Sequence, residues 1–370
     1  MGVPLLDLKA QHATIKDDVV AALMEIVDQQ TFILGAAVGQ LECKIAGLSQ
    51  VPYAIGCANG TDAILLALRA LQVGRDDEVI TTPFTFFATG GAVHNVGARP
   101  VFVDIDPRTF NIAPDAVAAA VTDRTRAVIA VDLFGQMAAI EQVMAAAGQL
   151  PVIEDAAQSI GARRQINGKT VMAGQAATIG TFSFFPSKNL GGYGDGGMMV
   201  TGDEALYETL MKLRVHGGRQ TYFHELVGYN SRLDTLQAAV LLAKLPYLEG
   251  WSEARRRNAA FYDAAFADVP EVVTPYIDPA NTSIYNQYTL RADKRDALQA
   301  HLKAQGIGNS IYYPLALHLQ PCFAYLGYRE GQCPESERAT KDVISLPVFP
   351  ELTTAQRDEV VAAVRTFYGR

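Results

Sequence analysis

Lys188 follows the aromatic run FSFF in the stretch FSFFPSKNLGGYGDGG, which spans Phe182 to Gly197. Pro186 breaks the strand-like segment Thr178–Phe185 just ahead of it, so the lysine falls at or near a strand end among apolar neighbours. Desolvation there favours the neutral amine, the form that Schiff-base chemistry needs. The everyday alternative is a surface lysine whose stem packs on the aromatics. Gly192, Gly194 and Gly197 in the same stretch have G-x-G-x-x-G spacing. A dinucleotide-binding turn would open a helix and carry an acidic residue ~20 positions on. Here MMVTGDEAL follows, a strand and then a helix start. The glycines read instead as a tight turn between the lysine loop and the next strand.

Four further segments hold polar residues at strand ends or loops. In PVIEDAAQSIGA an apolar strand ends at Glu154-Asp155, which puts Asp155 at the carboxyl edge with Gln158 one turn on. A carboxylate there pairs with a cationic ring nitrogen or merely caps the following helix. In CANGTDAILLAL a strand ends at Ala58, Asn59-Gly60 turns, and Thr61 begins a helix. Free backbone N–H groups and a hydroxyl there make an anion site, or an ordinary capped helix start. In GYNSRLDTLQAAVL, Asn230 and Arg232 precede an amphipathic helix, and YYPLALHLQP sets Tyr312, Tyr313 and His318 in a proline-bounded loop. A lone histidine in such a loop is more often structural than catalytic.

The elements that must position these residues alternate. A helical segment runs from about Ile15 to Gln29. Strand-like runs follow at Tyr53–Ala58, Glu78–Thr81, Pro100–Val103, Ala127–Val131, Pro151–Glu154, Thr178–Phe185 and Met198–Thr201. Helical stretches Thr61–Leu71, Phe87–Val96, Pro114–Ala120 and Ala138–Ala147 lie between them. Such alternation with apolar strands predicts an α/β fold whose mostly parallel sheet is covered on both faces. Ligands of such sheets sit beyond the carboxyl ends of the strands. Beyond Leu245 a charged helix leads into mixed strands and helices, which places a hinge near Leu245–Gly250 and divides the chain into 1–248 and 249–370.

Composition bounds the rest. The 370 residues are 49% hydrophobic and 19% charged, which suits a folded globular chain. A net charge of −8 argues against nucleic acid or an anionic membrane as partner. Cys43, Cys57, Cys322 and Cys333 lack disulfide or metal-ligand spacing, so no metal is expected. No apolar run reaches the ~18–20 residues of a membrane span, and the start has no apolar signal core. A cytoplasmic protein is expected.

Together CANGTDA, PFTFFAT, RPVFVDID, PVIEDAAQSIGA, FSFFPSKNLGGYGDGG, GYNSRLDTLQAA and YYPLALHLQP resemble the DegT-type sugar-nucleotide aminotransferases. That family has the aspartate-aminotransferase fold type and depends on pyridoxal 5'-phosphate. The resemblance implies a large cofactor-binding domain, with the mixed, mostly parallel sheet between helices, and a smaller C-terminal α+β domain. Lys188 would form the Schiff base and Asp155 would keep the pyridine nitrogen protonated. Phe86 would stack on the ring and Gln158 would lie near the phenolic oxygen. Gly60, Thr61, the Asp62 backbone and Ser183 would hold the phosphate. Asn230 would reach that phosphate from the neighbouring subunit of a homodimer. Arg232, Tyr312, Tyr313 and His318 would face the substrate.

The implied reaction moves an amino group from an amino-acid donor, with L-glutamate expected, to a keto-sugar nucleotide. Related dehydratases carry histidine at the lysine position, so Lys188 favours transamination. A dehydratase or a non-catalytic regulatory relative are the alternatives. PSKNLGGYGDGG and GYNSRLDTLQAA look most like the branch that acts on the 3-keto carbon of a UDP-N-acetyl-hexuluronate. YYPLALHLQPCFAYLGY looks like members acting on neutral keto-deoxysugars, such as a dTDP-3-keto-deoxysugar.

Overall fold

The computed structural model describes residues 2–220 and 222–370. Its principal sheet has seven strands in the order Tyr53–Cys57, Gly197–Thr201, Ile179–Ser183, Val152–Asp155, Thr125–Val131, Glu78–Thr81, Arg99–Phe102. Gly197–Thr201 runs antiparallel to both its neighbours, and every other pairing in the sheet is parallel. Strands such as Glu78–Thr81 and Val152–Asp155 are buried along their whole length, because helices cover both faces. This is the α/β architecture, with a mixed and mostly parallel sheet, that the apolar runs predict.

Register brings the polar segments to one edge. Cys57 pairs with Gly197 and Gly197 with Ser183, while Asp155 pairs with Thr181 on the adjoining strand. Three strands with the same direction, Tyr53–Cys57, Ile179–Ser183 and Val152–Asp155, therefore end at one edge, with the start of Gly197–Thr201 between the first two, and each is followed by a segment that the sequence singles out.

A three-stranded sheet of Val272–Val273, Tyr288–Ala292 and Val343–Leu346 packs with helices Leu248–Phe266, Arg295–Ala304 and Thr354–Phe367. Their core contains Tyr262, Tyr288, Leu298 and Val364, and also Val3, whose carbonyl accepts from the Gly308 N–H at 2.7 Å. Residues near the start of the chain thus help to build the C-terminal core, across the expected division at 248. A third sheet pairs hairpin Arg163–Ile166 and Lys169–Met172 with Asn281–Thr282.

The structure corrects several local expectations. The first helix begins at Leu8 rather than Ile15, since the Asp7 carboxylate accepts from the Lys9 and Ala10 N–H groups and caps it there. The expected hinge at Leu245–Gly250 is helical: helix Thr235–Lys244 passes through a 3-10 turn, Leu245–Tyr247, directly into Leu248–Phe266. Pro246 has no N–H to continue the α pattern, so the run tightens there instead of opening into a loop. Gly197 is the first residue of a strand and not part of a turn.

Candidate active site

The lysine segment spans residues 184–196 between two antiparallel strands. It is closed on itself by the Phe184 N–H to Gly196 O at 2.8 Å, Gly192 N–H to Phe184 O at 2.7 Å, and Lys188 N–H to Phe185 O at 2.8 Å. None of its glycines has a positive φ. They are there for close approach: a Cβ on Gly192 or Gly194 would meet the Gln237 side chain at 2.8 or 2.9 Å. A Cβ on Gly197 would lie 2.4 Å from Asn59 O, at the start of helix Gly60–Ala70. The glycines let a neighbouring helix side chain and a helix N-terminus press against the lysine loop.

Lys188 is half-buried, and desolvation lowers its ammonium to about 8, against the opposing pull of Asp155. Asp155 closes its strand and is buried, which pushes its carboxyl up. The Thr89 hydroxyl, the Ala157 N–H and the Lys188 charge act in the other direction. Thr89 Oγ1 donates to Asp155 Oδ2 at 2.8 Å, and Thr85 Oγ1 lies 3.0 Å from Thr89 Oγ1. Thr89 has one hydroxyl proton, so with that proton on Asp155 it accepts from Thr85. Neither threonine stands out in the sequence, although both lie in PFTFFAT. The available signal was a hydroxyl on a helix whose neighbouring positions are small and apolar.

At the end of strand Tyr53–Cys57, Asn59 caps helix Gly60–Ala70, its Oδ1 accepting from the Asp62 N–H at 2.8 Å. That N–H, expected at the phosphate, is already used, and the Asp62 carboxylate accepts from Ser231 Oγ at 2.7 Å. The N–H groups of Gly60 and Thr61 remain available at the helix start. A Cβ on Gly60 would sit 2.6 Å from Ser183 Cβ, so only glycine lets the two segments come together. They form a small cradle of N–H and hydroxyl donors at the strand end that leads into the lysine segment.

Gln158 is buried and doubly held: its Oε1 accepts from the Phe134 N–H at 2.7 Å, and its Nε2 donates to Tyr313 Oη at 3.1 Å. Burial pushes the Tyr313 phenol up, so it stays neutral, and its ring meets Phe84 edge-on at 5.8 Å. Tyr312 packs on the same Phe84 cluster. Phe86 stands at the N-cap position of helix Phe87–Asn95 and is 60% exposed, an open aromatic face directly after the buried run Thr81–Thr85. Arg232 is half-buried and forms no ion pair among the described residues. Asn230 is exposed and bridges to Val215.

His318 departs from the substrate-facing expectation. Its side chain has no exposed surface, and Nε2 lies 3.1 Å from Glu337 Oε1. Glu337 in turn accepts from the Gly331 N–H. A histidine so enclosed braces its loop, the commoner role for a lone one.

Sequence reading also missed the other face of the Asp155 strand. Glu154 is fully buried and its carboxyl oxygens have no hydrogen-bond donor, so burial and the adjacent Asp132 carboxylate raise it well above the ordinary range. Asp132, pushed up to about 6 chiefly by burial, accepts from the Ala138 N–H and from Ser159 Oγ, both at 2.7 Å. The pair braces the turn that carries Gln158.

The model of the DegT/DnrJ/EryC1/StrS aminotransferase family matches residues 13–365. A relative from Geobacillus stearothermophilus named a pleiotropic regulatory protein is 53% identical, over 100% of this chain and 99% of the relative. A UDP-N-acetyl-3-dehydro-alpha-D-glucosamine 3-aminotransferase from Acidithiobacillus ferrooxidans is 45% identical, over 100% and 98% of the two chains. Among solved structures, DesV of S. venezuelae in complex with a ketimine intermediate superposes with a TM-score of 0.96 at 38% identity, covering 100% of this chain and 99% of that one.

Proposed function

The chain belongs to the DegT/DnrJ/EryC1/StrS aminotransferase family, and from that premise we propose that it transfers an amino group from L-glutamate to the 3-keto carbon of a UDP-linked 2-acetamido sugar. The observation that carries this reading is Lys188, with its lowered ammonium, acting within reach of the buried Asp155 charge at the carboxyl edge of the sheet. A module that only binds has no need of an amine of lowered basicity acting on a buried carboxylate.

Members of this family use pyridoxal 5'-phosphate. The residues fit that group, since Gly60 leaves space against Ser183 that a Cβ would fill. Ser183 and the Gly60 and Thr61 N–H groups would hold the phosphate, and Phe86 would cover the ring. Bound there, the cofactor supplies an electron sink and carries the amino group between donor and acceptor.

The remaining work falls to the chain. The Lys188 amine would hold the cofactor and, when free, would move a proton at the substrate carbon as general base and acid. Asp155, oriented by Thr89, holds a proton on the ring nitrogen. Gln158, fixed by Phe134 and Tyr313, has a second amide N–H that would serve the phenolic oxygen. Arg232, without an ion pair among the described residues, offers its guanidinium to an anionic group of the sugar nucleotide, and bidentate pairing makes arginine suited to a carboxylate or phosphate.

We further assign Asn230 to the active site of a second copy, in a homodimer. Tyr222, Phe223 and Val227, on the segment leading to it, are 89%, 65% and 85% exposed, apolar surface that a partner would cover. A cytoplasmic location belongs to the same proposal. Cys57 and Cys333 are buried and unpaired, in keeping with a reducing compartment.

The test is the purified protein with pyridoxal phosphate, L-glutamate and UDP-3-keto-N-acetylglucosamine or its uronate. The expected outcome is a visible absorption band from the lysine-bound cofactor and 2-oxoglutarate release matched by amino-sugar formation. Lys188→Ala should lose both. A band that survives in Lys188→Ala would sink the assignment. A bound cofactor with no turnover of any keto-sugar nucleotide would favour a regulatory role, the one in the name of the Geobacillus relative.

A further inference from the structure

Lys244 ends helix Thr235–Lys244 with its side chain directed into the protein, and only 2% of the residue is exposed. Its ammonium donates to Gly191 O at 2.6 Å. No carboxylate among the described residues lies within ion-pair distance of it. The ring centroids of Tyr193 and Trp251 are 5.4 and 5.8 Å away. The charge of Glu351 acts on it from farther off, but Glu351 also serves Arg255 and is opposed by the Asp7 carboxylate. A buried ammonium without a counter-ion is costly, and two aromatic faces and one carbonyl offset only part of that cost. An apolar side chain of similar length would fill the space without the charge.

What the lysine does that methionine cannot is grip Gly191, the third residue after Lys188. The grip acts where the loop has no slack. A Cβ on Gly191 would meet Pro186 O at 2.4 Å, Asn189 and Leu190 are buried, and Asn189 Nδ2 donates to Ile284 O at 3.1 Å. The Tyr193 N–H is taken by Gln237 Oε1 at 2.8 Å, from the same helix that ends in Lys244. We propose that Lys244 is a positioning residue for Lys188: gripping Gly191 O from behind, it fixes the loop that presents the reactive amine. Lys244 leads directly into Leu245–Tyr247 and the Trp251 helix, so the amine's position is tied to the junction with the C-terminal core.

The proposal rests on the reading of Lys188 as the cofactor's anchor, and its test separates the two. Lys244→Met removes the donor at similar length, and Lys244→Arg keeps donor and charge. Amide hydrogen exchange is followed at Gly192 and Tyr193, whose N–H groups are bonded to Phe184 O and Gln237. Lys244→Met should exchange about tenfold faster there, with helix Thr235–Lys244 unchanged and protection regained in Lys244→Arg. On the cofactor-loaded protein the midpoint of the visible band should also move by about half a pH unit in Lys244→Met. Unchanged exchange at these amides, or equal loosening of the whole helix with an unmoved midpoint, overturns the proposal and leaves Lys244 as packing. If Lys244→Met does not fold, Lys244→Ser, too short to reach Gly191, is read by the same two outcomes. A parent protein with no band refutes the anchor reading alone, since the exchange comparison still decides the role of Lys244.

Discussion

Thr89 connects the helix after Phe86 to the carboxylate on which the cofactor's electronics would depend, and it does so with one proton. Replacing it with valine leaves shape nearly intact but removes the side-chain donor to a buried, already raised carboxyl. Hydrogen bonds to charged groups contribute about 1.5–3 kcal/mol, so Thr89→Val should bind pyridoxal phosphate roughly ten- to a hundredfold more weakly. Thr89→Ser should recover most of that, as read by equilibrium titration of the visible band. Lys188 sets a second expectation. Its ammonium is lowered to about 8, and only the neutral amine attacks a carbonyl. The neutral fraction grows as pH rises, so the rate of cofactor capture by the free protein should climb through about pH 8 and level off above it. A stopped-flow profile that is flat from pH 7 to about 9 would contradict this.

At the scale of elements, the site depends on how closely a helix start can approach two strand ends. Gly197→Ala would bring a methyl to 2.4 Å from Asn59 O and 2.9 Å from Gly60 N, both of them backbone atoms that cannot step aside cheaply. The expected cost is about 1–3 kcal/mol in chemical denaturation, with weaker cofactor binding. Gly39→Ala, in helix Ala36–Leu48 with nothing near its added methyl, should raise stability by about 0.5–1 kcal/mol. This scale also explains what could be read from sequence. Strands such as Glu78–Thr81 and the start of helix Phe87–Asn95 are legible because apolar runs and helical spacing are local properties. Asp155 and the Asn59 cap are legible for the same reason, since each marks the end of an element, and Lys188 because it follows a strand broken by Pro186. Thr89 against Asp155, Glu154 against Asp132 and Lys244 against Gly191 are not, because each pair forms only after strands or helices far apart in sequence have packed. His318 misled because a proline-bounded loop tells nothing of which way its histidine faces. The close approach at Gly197 was missed because its glycine spacing reads as a tight turn, whereas Gly197 opens a strand against the Asn59 backbone.

Across the whole molecule, the sheet interior carries acid groups that water does not reach. Glu154 is raised well above 4.5 and Asp132 rises from 3.8 to about 6. Above its ordinary value such a group gives up its proton in the unfolded chain while the folded chain retains it. Stability from these groups is therefore complete at low pH and declines as pH rises, from about 4 to 6 for Asp132 and from 4.5 upward for Glu154. Glu154→Gln removes one of the two groups and should give a melting temperature that declines less with pH above about 6 than the parent's. A parallel decline in both proteins would show that Glu154 gives up its proton no differently when folded. One other long-range arrangement bears on synthesis. Val3 is 1% exposed within a core completed by Leu346, Val360 and Val364. A ribosome releases Val3 first and those partners last, and at about 5–20 residues per second the delay is tens of seconds. During that interval the sheet carrying Lys188 can assemble while its opening residues stay loose. An N-terminal fusion that holds Val3 away from its seat would be felt at the far end of the chain, in a C-terminal core that closes late or stays open.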